Sequence, residues 1–184
     1  MPLLQTKKKE IIFKGKFIDL WGTEFMDKNG NSQIWEWIAR KSAALVFPIT
    51  ANREVVLVKN FRVPLEKYVI ETPAGLIDKP GESPLDVVKR ELLEETGYQG
   101  HNFIAVPPWP YRSGSSNGMI YAFIATDAVK ILDNVTGDAT EDITVVTVPL
   151  IELVDVYFNP PPGVLFQAEI LAIYMMAQRL GIVE

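Results

Sequence analysis

Four glutamates lie within a short stretch of the sequence. Glu91, Glu94 and Glu95 fall in the segment RELLEETG (90–97), and Glu82 precedes them. Residues three and four positions apart share a face of a helix, so we expect the first three carboxylates to point into one sector. Like charges at these spacings destabilise an exposed helix, whereas a hard divalent cation takes several carboxylate oxygens as ligands. The pattern therefore allows either a cation site or a solvated acidic face.

The neighbouring residues favour the cation site. Lys89 and Arg90 are not expected to neutralise the cluster on its C-terminal side, because neither supplies the i+4 partners. The preceding loop PAGLIDKPGE (73–82) is rich in turn residues, so it can bring backbone groups and Glu82 to the start of the helix.

Composition narrows the remaining chemistry. The sequence of 184 residues has no cysteine and one histidine, His101, which excludes disulfides, thiol nucleophiles, cysteine-ligated zinc and histidine-rich metal sites. The net charge of −5 disfavours general binding to nucleic acid. No signal peptide and no apolar run of the ~20 residues that span a bilayer is found, so we expect a soluble, cytoplasmic protein without a membrane partner.

The glutamates belong to the clearest predicted helix, residues 84–96. Ser83 suits the N-cap, Pro84 the first helical position, and Gly97 the left-handed residue that ends a helix. An acidic residue, Asp86, lies in the first turn, where it is favoured. The core-facing stripe consists of Leu85, Val88 and Leu92.

Strands dominate the rest of the chain. The Asn29-Gly30 turn predicts a hairpin, and the final helix is expected over 164–180. We predict strands over 11–21, 33–40, 43–49, 54–60, 67–71 and in HNFIAV, GMIYAFIA and ITVVTV, with a short helix in IELVDVYF. Mixed strands and two main helices indicate an α/β fold with a mixed β-sheet sandwiched between helices. An N-terminal antiparallel β-hairpin arm (1–42) is expected before the main domain (43–184).

The segment GLIDKPGESPLDVVKRELLEETGY (75–98) resembles the Nudix box, in which a glycine and a glutamate precede Arg-Glu-hydrophobic-x-Glu-Glu-x-Gly. From Glu82 onward the match is complete. Six residues rather than five separate Gly75 from Glu82, which we interpret as a one-residue loop insertion. The resemblance implies a Nudix fold for residues 43–184.

Two further segments resemble the ADP-ribose and nucleoside-diphosphate-sugar pyrophosphatases of this superfamily. They are LVKNFRVPLEKYVIETPAGLI (57–77), with Arg62, Glu71 and Pro73-Ala74-Gly75, and WEWIAR (35–40). The second is similar to a segment that crosses to the partner subunit and packs on the nucleotide base. The resemblance therefore implies a homodimer.

The resemblance also implies the catalytic and metal-binding residues. Mg²⁺, with Mn²⁺ as a possible substitute, would be held by Glu91, Glu94, Glu95 and the Ala74 carbonyl. Arg90 would orient these carboxylates. A glutamate on a late loop would complete the site as general base or further ligand, and within DNVTGDATEDITVV (133–146) we choose Glu141. Glu82 is either an outer acid or part of the start of the helix.

Each candidate substrate-binding residue could instead have a purely structural role. Arg40 and Arg62 suit the diphosphate and the terminal sugar, although either suits a surface ion pair as well. Trp35 could stack on a base, with Glu36 at its edge, or be an interface aromatic. In VPPWPYRSGSSNGM (106–119) the prolines come early and Arg112 occupies the place expected for a proline, which leaves ADP-ribose open against GDP-mannose.

The sequence thus predicts a Mg²⁺-dependent Nudix pyrophosphatase that releases a nucleoside monophosphate and a sugar phosphate. A GDP-mannose-preferring hydrolase is the alternative within the class. A triphosphatase for damaged nucleotides is disfavoured by the N-terminal arm and PAGLI. A non-catalytic nucleotide-sugar sensor is disfavoured by the complete set of Arg90, Glu91, Glu94 and Glu95.

Overall fold

The structure, a computed structural model, describes residues 4–133, 135 and 141–184. The chain divides into two compact units. One comprises the described residues up to Ser42 together with Trp109–Ile120, and the other comprises Ala43–Pro108 with the described residues of Tyr121–Glu184. The grouping of 109–120 with the N-terminal residues was not indicated by the sequence pattern.

The first unit is built on a three-stranded antiparallel sheet of β1 (Gln5–Lys14), β2 (Asp19–Met26) and β3 (Ser32–Ala39). The predicted turn at Asn29-Gly30 is confirmed, with Gly30 at φ +84°. The expected single strand over 11–21 is wrong. The Gly15 N–H donates to the Ile18 carbonyl at 3.1 Å, and a Cβ at Gly15 would overlap that carbonyl oxygen, so this glycine permits a reversal inside the apolar run.

Most of the main sheet lies in the second unit, and among the described residues it has nine strands. They are β4 (Ala43–Thr50), β5 (Glu54–Arg62), β6 (Lys67–Glu71), β7 (Ala74–Leu76), β8 (Tyr98–Gln99), β9 (Asn102–Pro110), β10 (Met119–Lys130), β11 (Ile143–Pro149) and β12 (Val164–Phe166). Their order is β12-β6-β5-β4-β10-β8, with β11 on β5, β7 on β4 and β9 on β10. Because β12 runs parallel to β6 while β5 is antiparallel to β6 and β11, the sheet is mixed.

Helix α1 (Pro84–Thr96) has the bounds that the sequence predicted. The Ser83 hydroxyl accepts from the Asp86 N–H at 3.2 Å, and the Asp86 carboxylate accepts from the Ser83 N–H at 3.1 Å, so both form a capping box. Gly97 ends the helix at φ +75°, and its N–H donates to the Leu93 carbonyl. Two further helices follow, α2 (Leu153–Phe158) and α3 (Glu169–Arg179).

The expected helix over 164–180 is partly wrong, because its first residues form β12 instead. Val164 pairs with Tyr68 in the parallel ladder. The Gln167 N–H then donates to the Ile70 carbonyl at 2.8 Å. The first residues of the predicted helix therefore pair with the sheet as a strand, and the helix begins only at Glu169.

Strand β4 lies at the centre of the core. All of its residues after Ala43 are buried, so both of its faces are covered. Ala44 and Val46 pack with Val88 and Leu92 of α1, and α3 also contacts β4. The predicted α/β arrangement of a sheet between helices is therefore confirmed. Within the described ranges, no helix combines the length and the apolar character needed to cross a bilayer.

Candidate active site

The carboxylates of α1 lie against β7. Gly75 sits so close to the Glu91 carboxylate that a Cβ at this position would overlap its oxygen. The adjacent Ala74 N–H donates to Glu95 Oε2 at 3.1 Å. The strand therefore contributes one residue without a side chain and one backbone donor, and each faces a different glutamate of the helix.

Arg90 connects three of the four glutamates. Its Nε donates to Glu82 Oε1 at 2.9 Å, and its Nη1 donates to Glu91 Oε1 at 2.7 Å and Glu94 Oε2 at 2.9 Å. The expectation that Arg90 does not neutralise the cluster is therefore wrong, because Arg90 and Glu94 form an i,i+4 ion pair. Bonds to Glu82 and then to the other two carboxylates raise the pKa of Arg90 above its ordinary value. This geometry gives Glu82 a role in holding the arginine.

The three α1 glutamates differ in their exposure to solvent, which the sequence did not predict. Glu95 is buried, with 7% of its surface exposed, whereas Glu94 is exposed. Each residue is rotated by about 100° around the helix axis from the one before it, so positions 91, 94 and 95 point in different directions. Of the three, Glu95 points towards the buried side of the helix. The pKa of Glu95 is raised to about 8, chiefly by burial. The charges of Glu91 and Glu141 contribute to this rise, while the Ala74 N–H and Arg62 act against it.

The charge of Glu141 acts on the same carboxylates. It is exposed and stands two residues before β11. Its charge raises the pKa of Glu95 and of Glu91, where burial is the first cause. The structure therefore brings together the residue chosen from the late loop and two glutamates of α1. Residue 134 and residues 136–140 of that loop lie outside the described residues.

Arg62 forms a bidentate ion pair with Glu71 beside this acidic cluster. Its Nε lies 2.8 Å and its Nη2 2.5 Å from Glu71 Oε2, and Nε also lies 3.1 Å from Glu71 Oε1. Glu141 and Glu95 add to the field at its guanidinium, whose pKa lies above its ordinary value despite burial. Arg62 is thus a fixed positive charge beside the carboxylates.

A profile of the NUDIX domain matches residues 39–172, most of the chain and the whole of this site. The chain belongs to the Nudix family.

Individual relatives agree with the family. An ADP-ribose pyrophosphatase from Bacillus subtilis (strain 168) is 32% identical over 146 residues, which cover 79% of this chain and 78% of that protein. An ADP-sugar pyrophosphatase from Mus musculus is 42% identical over 103 residues, covering 50% of this chain and 47% of that protein. The crystal structure of an ADP compounds hydrolase superposes with a TM-score of 0.80 at 20% identity, covering 96% and 93% of the two chains. The predicted Nudix fold is confirmed, and the protein is a hydrolase.

Nudix hydrolases generally need divalent cations, and the donor set here suits one. Glu91, Glu95 and Glu141 repel one another, and a hard cation would relieve that repulsion because it binds carboxylate oxygens. Across residues 4–133, 135 and 141–184, no three acidic or histidine side chains already converge in the geometry of a metal site. Cation binding would therefore require these carboxylates to move closer together, and Glu91 and Glu94 each have one oxygen that is not bonded to Arg90.

A groove without the clustered glutamates lies elsewhere on α1. It has a volume of about 580 Å³ and is lined by Lys89, Arg90, His101 and Phe103 among others. Its one acidic lining residue is Asp86, which caps the helix. The carboxylate geometry, rather than cavity size, therefore locates the candidate active site of this Nudix protein.

Trp35 lies in the first unit, in a cavity of about 240 Å³ that also contains Phe25, Trp37 and the 113–117 loop. Its Nε1 donates to the Gly114 carbonyl at 2.8 Å, and half of the residue stays exposed. Glu36, on the neighbouring position of β3, is exposed. Trp35 is thus fixed at its polar edge while much of its surface remains accessible.

Arg40 and Arg112 both approach one aromatic ring. The guanidinium carbon of Arg40 lies 4.9 Å from the centre of the Tyr111 ring, and that of Arg112 lies 5.9 Å from it. Arg112 adopts φ +50°, a left-handed conformation that is rare for arginine. The sequence reasoning missed Tyr111, although an aromatic residue beside an arginine in the proline-rich segment was the available signal.

The raised pKa of Glu95 predicts how stability depends on pH. Below its ordinary pKa of 4.5, Glu95 is protonated in both the folded and the unfolded state, so no penalty arises. Between about pH 4.5 and pH 8, Glu95 ionises in the unfolded chain but stays protonated in the folded protein, so the free energy of unfolding falls across this window and levels off above it. We predict that the free energy of unfolding of the cation-free protein falls by a few kcal/mol between about pH 5 and pH 9.

Urea unfolding with EDTA over a pH series measures this loss. Glu95→Gln should remove most of the pH slope, and the exposed Glu152→Gln should retain it. Excess Mg²⁺ should restore stability to the wild type at high pH. An unchanged slope in Glu95→Gln would show that Glu95 does not carry the penalty.

Proposed function

We propose that this Nudix hydrolase is a Mg²⁺-dependent pyrophosphohydrolase that cleaves ADP-ribose or a related nucleoside diphosphate sugar. The products are a nucleoside monophosphate and a sugar phosphate. The observation that carries the proposal is the packing of Glu91 and Glu95 against Gly75 and Ala74, with Glu141 close by. ADP-ribose comes first because the names of the two similar proteins specify ADP-ribose and an ADP-sugar.

The residues that would hold the cation are Glu91, Glu94, Glu95 and the Ala74 carbonyl. When bound, divalent cations neutralise the diphosphate, polarise a phosphoryl oxygen and lower the pKa of a water molecule. Arg90 supports this set because its bonds to Glu82, Glu91 and Glu94 orient the Glu91 and Glu94 carboxylates before a cation binds.

In the proposed reaction, Glu141 accepts a proton from the attacking water. The water oxygen forms a bond to one phosphorus of the diphosphate, and the bond from that phosphorus to the bridging oxygen breaks. The bridging oxygen leaves with the other phosphate, which completes two monoesters. Glu141 suits proton transfer because it is exposed yet electrostatically coupled to Glu91 and Glu95. The fixed charge of Arg62 suits the increased negative charge on the phosphates.

The first unit carries the other residues that we propose bind a nucleotide sugar. Trp35 offers an accessible ring for stacking on the base, and Glu36 an acceptor for its edge. Arg40 and Arg112, both against Tyr111, suit phosphate or sugar oxygens. The arrangement of Arg112 also keeps GDP-mannose as the second candidate, since this segment departs from the pattern expected for ADP-ribose.

A substrate panel tests the proposal. Purified protein with Mg²⁺ should release monophosphate products from ADP-ribose or another sugar nucleotide, with GDP-mannose, UDP-glucose, ADP-glucose and several triphosphates tested in parallel. Glu95→Gln should lower kcat/KM by more than roughly 100-fold, because losing even an outer partner of a metal ligand costs about 10–100-fold. Glu152→Gln should keep wild-type activity.

The panel also separates the rival functions. Tight binding of a sugar nucleotide without turnover would indicate a non-catalytic sensor rather than an enzyme. Cleavage of triphosphates alone would indicate a triphosphatase for damaged nucleotides. Either result would contradict the proposed function.

We also propose that the protein acts as a homodimer. The support is that the first unit exposes several large apolar side chains, including Phe13, Phe17 and Ile34, which are 65%, 87% and 66% exposed. Sedimentation at micromolar concentration should show twice the chain mass of 20.7 kDa. Phe13→Asp should weaken association, whereas Ile151→Asp, on an exposed apolar residue of the second unit, should not. A fully active monomer would contradict the proposal.

A further inference from the structure

Tyr68 on β6, Phe61 on β5 and Asp142, the residue just before β11, lie in one row across the sheet. Phe61 on β5 pairs directly with Tyr68 on β6. On the other side of β5, Ile143 pairs with Asn60, so Asp142 comes level with Phe61. The Phe61 N–H also donates to the Asp142 carbonyl at 3.3 Å. Since adjacent strands lie about 4.8 Å apart, the backbones of Tyr68 and Asp142 are separated by roughly 10 Å.

The Tyr68 side chain crosses this gap. Its ring packs edge-on against Phe61, with 5.3 Å between the ring centres. Its hydroxyl donates to Asp142 Oδ2 at 2.7 Å. Lys59 Nζ lies 4.7 Å from the centre of the same ring. A hydroxyl bonded to a carboxylate is a charge-assisted hydrogen bond, which is stronger than a neutral one. In agreement, Asp142 raises the pKa of the Tyr68 hydroxyl.

Glu141 directly precedes Asp142 in the chain. The bond from the Phe61 N–H to the Asp142 carbonyl continues the β11 ladder to Asp142, so alternation places Glu141 on the face opposite the Asp142 side chain. Arg62, next to Phe61, shares that opposite face by the same alternation. The charge of Glu141 affects the pKa values of Arg62, Glu91 and Glu95, which agrees with this placement. A bond that fixes the face on which Asp142 lies therefore bears on the direction of Glu141.

We propose that Tyr68 is a positioning residue that holds Asp142 on one face of the sheet and thereby turns Glu141 towards Glu91 and Glu95. The inference rests on the proposed function in taking Glu141 as the group that accepts the proton from water. Tyr68 itself acts through Asp142 and Glu141 rather than on the substrate.

Tyr68→Phe tests the inference directly, because it removes the hydroxyl and keeps the ring contact with Phe61. We expect kcat to fall by roughly 10-fold while KM changes less than about twofold, as is typical when only the reacting arrangement is disturbed. Asp142→Asn, which retains a side-chain oxygen as acceptor, should keep more activity than Asp142→Ala. Tyr157→Phe, the same change in α2, is the matched control and should behave like the wild type.

A double variant shows whether Tyr68 acts through Glu141. In the Glu141→Gln background, adding Tyr68→Phe should lower kcat by less than about twofold, because the group that it positions is already lost. Losses that multiply would overturn the inference, since Tyr68 would then act by another route. Equal melting temperatures for Tyr68→Phe and the wild type exclude a general loss of structure.

Mn²⁺ binding, measured by electron paramagnetic resonance without substrate, separates this inference from the proposed function. Glu141→Gln and Tyr68→Phe should weaken Mn²⁺ binding to a similar extent, because each takes the negative charge of Glu141 away from Glu91 and Glu95. If they do so while the wild type cleaves nothing in the panel, the proposed function fails and the inference stands. If Glu141→Gln impairs both turnover and binding while Tyr68→Phe matches the wild type, the inference is overturned and the proposed function stands. A Glu141→Gln protein that equals the wild type in both assays would overturn both.

Discussion

The close approach of α1 to β7 is the constraint on which the candidate site depends. The Glu91 carboxylate occupies the space that any side chain at position 75 would need, and the neighbouring Ala74 N–H is bonded to Glu95. The capping box at Ser83 and the left-handed Gly97 fix where the helix begins and ends. The spacing between the box glycine and the glutamates is therefore a packing requirement, in which the helix and the strand must meet in one register.

This packing gathers more negative charge than the fold itself needs. Glu95 is buried with one backbone donor, and its pKa of about 8 shows that its ionised form is disfavoured. Two arginines offset part of the charge, Arg90 through three glutamates and Arg62 through Glu71. Both guanidiniums have carboxylate partners already, so the repulsion among Glu91, Glu95 and Glu141 is only partly relieved. A site that holds such strain is typical of a place where function, rather than stability, selects the residues.

Local sequence rules accounted for the elements whose ends are set by nearby residues. Helix α1 was predicted at both ends because Ser83 and Gly97 act within one turn of it. The 164–180 helix failed at its start because the pairing of Val164 with Tyr68 is a contact between distant positions. The same distinction holds in the site. The motif located Glu91, Glu94 and Glu95, but the Arg90 network, the burial of Glu95 and the bond between Tyr68 and Asp142 depend on three-dimensional packing. Glu141 could be chosen by resemblance, whereas its coupling to Glu91 and Glu95 required the structure.

If the packing of Glu91 against Gly75 creates a divalent-cation site, Gly75→Ala should weaken Mn²⁺ binding, and a Mn²⁺ titration measures this. The substitution changes no charge, and its methyl group would overlap the carboxylate and Cγ of Glu91, so the Glu91 side chain must be displaced. We predict Mn²⁺ affinity at least roughly 10-fold weaker than that of the wild type, a loss of the size seen when metal ligands are misoriented. Gly114→Ala adds the same methyl group where no atom lies within 4 Å and the backbone is not left-handed, and it should keep wild-type affinity. Unchanged Mn²⁺ affinity in a folded Gly75→Ala protein would show that this packing does not create a cation site.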